Sequence, residues 1–257
     1  MSEPAESFHE VLAGIAPKSS ARAREAIERH LANSPHAGSM NAPALHRLAR
    51  AIGRDHGVAK RLWASGEQTA RFLAPLVEIS TGVTPQQMES WVREFDSWGL
   101  VDCCCRYLFL DTRHAWKKAV EWSRRTREFE KRAGFSLMAY LAIHDKSAKD
   151  ARFHRLLKIV ERHATDERHF VKKAANWALR QIGKRNLRLN RAALQTARRI
   201  RTLDSRAARW IASDAIRELS SKRVVRRLRA RRRRQRNASP SDGLACDRRG
   251  FSSKLHD

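Results

Sequence analysis

Glycine and proline are scarce, 11 and 7 in 257 residues, too few for the frequent tight turns of an all-β chain. No apolar run approaches the roughly 20 residues that a membrane-spanning helix needs. Only four cysteines are present, and Cys103, Cys104 and Cys105 are adjacent while Cys246 stands apart. Adjacent thiols supply neither a disulfide framework nor the spaced ligand pairs of a zinc site. They read as small apolar residues of a reducing compartment. HExxH, P-loop and dinucleotide fingerprints are missing, so no metal or cofactor is expected. The opening MSEPAESFHE is acidic and polar, unlike a secretory signal. The expected location is the cytoplasm, in association with the nucleoid.

Acid is the other shortage: 27 Asp and Glu face 53 Lys and Arg, a net charge of +26. Such a surplus repels itself unless an anion answers it. Nucleic acid is the first candidate, since neutralised phosphates release counterions; a generally basic, solvated surface is the plainer alternative. Residues 221–257 hold 13 Lys and Arg against 3 Asp and Glu, so most of the surplus lies in the body of the chain.

What is abundant is Ala, Arg, Leu and Glu, which favour helix. Apolar residues at helical spacing predict helices over 5–15, 20–33, 42–54, 58–64, 67–80, 85–96, 98–110, 113–125, 127–144, 149–163, 167–184, 190–202 and 205–220. Thr84-Pro85 is a cap followed by a proline suited to the first helical position. Breaks fall at Ser34-Pro35, Gly53, Gly57, Ser65-Gly66 and Gly82. Short helices with shorter connections must pack antiparallel. Residues 1–220 are therefore expected to form an all-α, HEAT-like solenoid with a concave basic face; a globular bundle is the alternative, because no strict repeat is visible. Ten of residues 222–236 are Lys or Arg. That run is expected to be a disordered basic tail, or to fray from the last helix, and to bind nucleic acid non-specifically.

Three helices carry residues able to do chemistry. In 167–184, Val171, Ala175, Ala178 and Ile182 make one apolar stripe. Lys173, Trp177, Arg180 and Lys184 repeat the spacing two residues on, roughly 200° round the helix. An indole among three cations suits a base or sugar with its phosphates, unless another helix covers Trp177. In the second helix, Trp98 and Asp102 are four apart and share a face. Asp102 sits among Val101 and the three cysteines, so it is either a structural carboxylate paired with an arginine or an acid lining a cleft. In 127–144, Phe129, Ala133, Leu137 and Tyr140 form the expected core stripe. Arg132 lies off it, free to clamp a phosphate, to pair with Asp102, or to sit on the surface.

The segments FDSWGLVD (95–102), FEKRAGFSLMAYLA (129–142) and FVKKAANWALRQIGKRN (170–186), preceded by RLWASGEQTARFLAPL (61–76), resemble the DNA alkylation repair family of HEAT-like DNA glycosylases. The likeness covers about residues 58–220; the cysteine run and the arginine-rich tail depart from it, and residues 1–57 carry no match. The resemblance implies a solenoid that embraces duplex DNA. It implies hydrolysis of the N-glycosidic bond of 3-methyladenine- and 7-methylguanine-type lesions, without a cofactor and by a monomer. Asp102 matches the family's catalytic aspartate, Trp98 and Trp177 its active-site tryptophans, and Arg132 its phosphate-contacting arginine. Lys173, Arg180 and Lys184 would hold the DNA backbone. The rival expectations are a non-catalytic binder of damaged or branched DNA on the same scaffold, and a protein-interaction solenoid whose tail binds RNA.

Overall fold

The computed structural model describes residues 6–33 and 40–238. Its first helices are α1 (Phe8–Ile15), α2 (Ala21–Asn33), α3 (Ala42–Ile52), α4 (His56–Ala64), α5 (Gln68–Val77), α6 (Pro85–Arg93) and α7 (Trp98–Tyr107). There follow α8 (Ala115–Trp122), α9 (Glu128–His144), α10 (Asp150–Arg162), α11 (His169–Gly183), α12 (Leu187–Arg201), α13 (Arg206–Leu219) and α14 (Lys222–Ala238). Helices α1 to α13 fall on the segments that apolar spacing predicts. The described residues contain no strand, and no helix among them is long and apolar enough to cross a membrane.

The starts are written locally. Ser7 accepts from the Glu10 N–H while its own N–H donates to the Glu10 carboxylate, a reciprocal cap. Thr84 Oγ1 accepts from the Gln87 N–H at 3.1 Å, with Pro85 next in line. Asn41, Asp55, Ser97, Asn186 and Ser205 cap α3, α4, α7, α12 and α13 in the same way. Each such cap is worth about 1 kcal/mol. Gly53 ends α3 at φ 83°, a left-handed backbone that glycine adopts without strain. The break expected at Ser34-Pro35 lies outside the described residues.

Stacking follows one rule. Helix α3 packs on α5, α5 on α7, α7 on α9, α9 on α11, and α11 on α13; on the other side α10 packs on α12 and α12 on α14. From α3 to α13 the odd-numbered helices thus build one layer, and α10, α12 and α14 stack as an even-numbered layer beside it, with α4 on α5, α8 on α9, α11 on α12 and α12 on α13 packed across the gap. Polar ties mark the same period. Arg132 to the Phe170 carbonyl, Asn176 to Asp214, Arg180 to Glu218 and Arg199 to Glu161 each join residues 38 apart. This is the repeat that residue identities conceal.

Helix α9 departs from expectation. Instead of burying one stripe, it is buried on every side from Glu130 to Ala139, because α7, α8 and α11 all pack against it. Phe129 and Tyr140, placed on the core stripe by spacing, are only partly buried. Gly134 permits the closest approach: a Cβ there would stand 2.3 Å from the Ser123 backbone nitrogen. The charged residues of α9 enter the interior with partners, Glu130 with Arg125 and Lys131 with Asp166 at 2.8 Å. Arg125 also meets Glu89, which accepts from Lys118 and from the Trp122 indole. These donors outweigh burial and hold Glu89 down to about 2.

The basic tail also departs from expectation. Lys222–Ala238 is a helix, α14, docked through Val224 and Leu228 onto the end of the stack. Two apolar residues four apart give the arginine run one face it can bury. Residues 239–257, including Cys246, lie outside the described residues.

Candidate active-site cleft

Helices α7, α9 and α11 are successive members of the odd-numbered layer. Their exposed edges frame an open cleft of about 590 Å³, lined by Trp98 and Asp102 from α7, Tyr140 from α9, and Phe170, Lys173 and Trp177 from α11. Arg132, His169 and Ala174 complete the lining. The expected acid, both expected indoles, Arg132 and Lys173 therefore meet at one place. Ser97 caps α7, accepting from the Leu100 N–H at 3.4 Å. That cap puts Trp98 in the first turn, where its ring is 55% exposed.

The carboxylate of Asp102 is held from both sides. Oδ2 accepts from Arg132 Nη2 at 2.8 Å, and Oδ1 accepts from Ser136 Oγ at 3.0 Å. Arg132 is anchored in turn, Nη1 donating to the Phe170 carbonyl at 3.1 Å. The Asp102 side chain keeps 24% of its exposure, so one flank stays open to the cleft. Burial is the largest influence and pushes its carboxyl above the ordinary value; Arg132 and Ser136 oppose that shift. An ionised carboxylate offers about four acceptor positions, and two are taken by these donors. Behind it, Cys104 and Cys105 are sealed in the core. Burial and the Asp102 charge push the Cys103 thiol up to about 12, which keeps it protonated and unreactive.

Trp177 is partly buried. Tyr140 meets it edge-to-face, ring centres 4.8 Å apart at 85°. With the Gln181 amide turned so that its oxygen faces the indole, Trp177 Nε1 donates to it at 2.9 Å. The ring is thus held by Tyr140 and Gln181 while it lines the cleft.

Three expected contacts are revised. Arg132 is 6% exposed and its guanidinium is committed to Asp102 and Phe170, so it orients the acid rather than reaching outward for a phosphate. Arg180 and Lys184 do not form an open basic face with Trp177. Helix α13 stacks beside them, and Glu218 takes Arg180 at 2.7 Å and Lys184 at 2.8 Å, with Asp214 also 3.3 Å from Arg180. Lys173 alone of that row is exposed on the cleft. Conversely, Ser136, Tyr140, His169 and Phe170 were not singled out as site residues. Ser136 lies four residues beyond Arg132 on α9, the only local signal that it could reach the same carboxylate.

The family model for the DNA alkylation repair enzyme matches residues 11–219. The chain belongs to the DNA alkylation repair enzyme family. Membership extends further toward the N-terminus than the motifs alone indicate, through α1 to α3, and it stops before α14. No curated protein matches the chain. A solved structure similar to it is described as one of a new family of proteins related to the HEAT-like repeat DNA glycosylases, with affinity for branched DNA structures. The two are 17% identical with a TM-score of 0.60, over 83% of this chain and 95% of that one. The likeness establishes the fold, a HEAT-like helical repeat.

Proposed function

We propose that this family member is a monofunctional DNA glycosylase that hydrolyses the N-glycosidic bond of alkylated, cationic purines in duplex DNA, the first step of base excision repair. The observation that carries the proposal is the convergence of one oriented, partly open carboxylate and two indoles on a single cleft. Phosphate binding alone needs no carboxylate, and a negative charge in the cleft opposes it.

A purine alkylated at N3 or N7 already carries positive charge. When the C1′–N bond breaks, the electron pair stays on the base and neutralises it, so the protein need not protonate the leaving group. The sugar is left as an oxocarbenium ion. Asp102, fixed by Arg132 and Ser136, faces that developing charge and stabilises it electrostatically. The faces of Trp98 and Trp177 favour the same cation. Water then bonds to C1′, and its proton passes to Asp102 and on to solvent. Arg132 and Ser136 are positioning residues; Lys173 holds a phosphate beside the lesion.

The test is incubation of methylated duplex DNA with the purified chain, followed by chromatography of free bases. Release of 3-methyladenine and 7-methylguanine by the wild type, and its loss in Asp102→Asn, is expected. No free base from the wild type refutes the proposal. It would leave the second reading, a non-catalytic binder of damaged or branched DNA, which the description of the similar structure favours.

A further inference from the structure

The cleft accounts for one cation, Lys173. The densest positive charge lies elsewhere, where α14 docks on the even-numbered layer. Between α12 and α14 runs a groove of about 650 Å³, edged by Arg191 on one side and Arg229, Arg232 and Arg233 on the other. Across α14, a second hollow of about 300 Å³ is lined by Lys146, Gln181, Lys184 and Arg185 together with Arg227 and Arg231. Among the described residues, the carboxylates of this end pair with Arg180, Lys184 and Arg188. Arg191, Arg227, Arg229, Arg232 and Arg233 have no such ion pair there.

This concentration is built, not a loose chain. Val224 and Leu228 are buried, and Arg231 Nη1 donates to the Arg185 carbonyl at 3.2 Å. Arg185 is anchored too, donating to the Ala142 carbonyl at 2.7 Å and lying 4.0 Å from the Phe153 ring centre. Lys146 is held below the usual lysine value by burial and by the like charges of Arg231 and Arg185. Cations packed this closely lower each other's stability until an anion lies between them.

The hollow, on the α11 side of α14, is placed in line with the cleft. Trp177 lines the cleft, Gln181 and Lys184 line the hollow beside α14, and all three follow one face of α11. Seven residues of helix separate Trp177 from Lys184, a rise of roughly 10 Å. One strand of duplex DNA advances roughly three nucleotides over that distance.

We infer that α14, with the hollow on its α11 side and the groove on its α12 side, forms a second DNA-binding site, a phosphodiester clamp whose hollow meets the same duplex about three nucleotides from the lesion. In placing both grips on one duplex, the inference rests on the glycosylase reading. Helix α14 lies beyond the residues that the family model matches, so the clamp is an addition to the family scaffold. Exposed arginines on a docked helix contact phosphates irrespective of sequence, which suits an enzyme that must hold any duplex while its cleft samples bases.

The experiment measures binding of the full chain to unmodified duplex DNA across a salt series, so it does not depend on base release. The variant Arg229→Gln/Arg232→Gln/Arg233→Gln removes three exposed charges and should flatten the plot of log affinity against log salt by about 2–3 units, at 0.9 per lost phosphate contact. A second variant, Leu228→Lys, adds a charge but strips α14 from α12; affinity should fall with it. An unchanged slope in the triple variant overturns the clamp. So does affinity that is unchanged or higher in Leu228→Lys, which would make α14 a polycation whose docking is irrelevant. A slope change seen with duplex RNA but not duplex DNA overturns it in favour of an RNA site. Helical content and thermal midpoint within error of wild type for the triple variant, and a loss of helix no larger than the 17 residues of α14 for Leu228→Lys, show that the body of either variant is folded.

Discussion

The α7–α9–α11 cleft and the α12–α14 groove both line the stack, yet they manage charge in opposite ways. In the cleft the one acid is fixed by two donors, and Arg132 behind it is consumed by that task. Around α14 cations face cations, and Arg185 and Arg231 are anchored through backbone carbonyls rather than through carboxylates. The first arrangement suits the charge that develops in the proposed reaction. The second stabilises only when charge is brought to it. A repeat fold allows both, because each added helix pair contributes an edge with its own chemistry.

The largest effect separating the two regions is expected at Asp102. Asp102→Asn keeps the shape, and its one amide oxygen can still accept from Arg132 while the amide N–H turns to Ser136 Oγ, but the negative charge is gone. Base release should fall by about 10²–10³-fold, the cost of losing one preorganised electrostatic group. Affinity for unmodified duplex, set mainly by the groove, should be unchanged or slightly higher. A parallel loss of binding would mean that the regions do not divide chemistry from grip. The acid limb of release against pH follows from the same carboxylate. In the proposed mechanism Asp102 acts ionised, and burial pushes its carboxyl above the ordinary value, so release should fall with decreasing pH at a higher pH than for an exposed aspartate.

Arg132→Ala comes next. It leaves Asp102 partly buried without its cation and should destabilise the fold by about 3 kcal/mol, the low end for breaking a buried pair because Asp102 keeps some exposure. Arg132 lowers the Asp102 titration, so its removal raises that titration further and moves the acid limb of release to higher pH. An arginine that merely touched phosphate would instead weaken binding and leave the limb in place. Trp177→Ala should follow, with about a tenfold loss in both binding and release, in line with one lost aromatic stacking surface. Loss confined to binding would take Trp177 out of the reacting centre.

The helices were legible because their signals are local. Thr84-Pro85 fixes the start of α6, and Val171, Ala175, Ala178 and Ile182 are all fully buried on α11 as their spacing predicts. Trp98 and Asp102, four apart on α7, were legible together for the same reason. What stayed hidden depends on partners one repeat away. Arg132 read equally as a phosphate clamp, a partner of Asp102 or a surface arginine, and only the stacking of α7 on α9 selects the pair; Lys131 is buried likewise through Asp166, 35 residues on. Arg180 and Lys184 read as an open basic face until Glu218, 34 to 38 residues on, takes them. The 38-residue period joins unlike residue types, so comparing identities does not find it. In α14 the signal was present but faint: Val224 and Leu228 make a two-residue stripe among ten cations.

Lys173 tests the comparison most finely, since it is the one exposed cation of its row inside the cleft. If the cleft supplies chemistry and the groove supplies grip, Lys173→Gln removes a single phosphate contact next to the lesion. The salt slope for unmodified duplex should then flatten by about 0.9, and no more. Release at saturating DNA should drop only a few-fold, because a misplaced backbone costs orientation and leaves the carboxylate intact. Combined with the triple arginine variant, the two slope changes should add, as the sites share no ion pair among the described residues. Non-additive slopes would mean that cleft and groove compete for the same phosphates, and that the duplex takes a different course along α11.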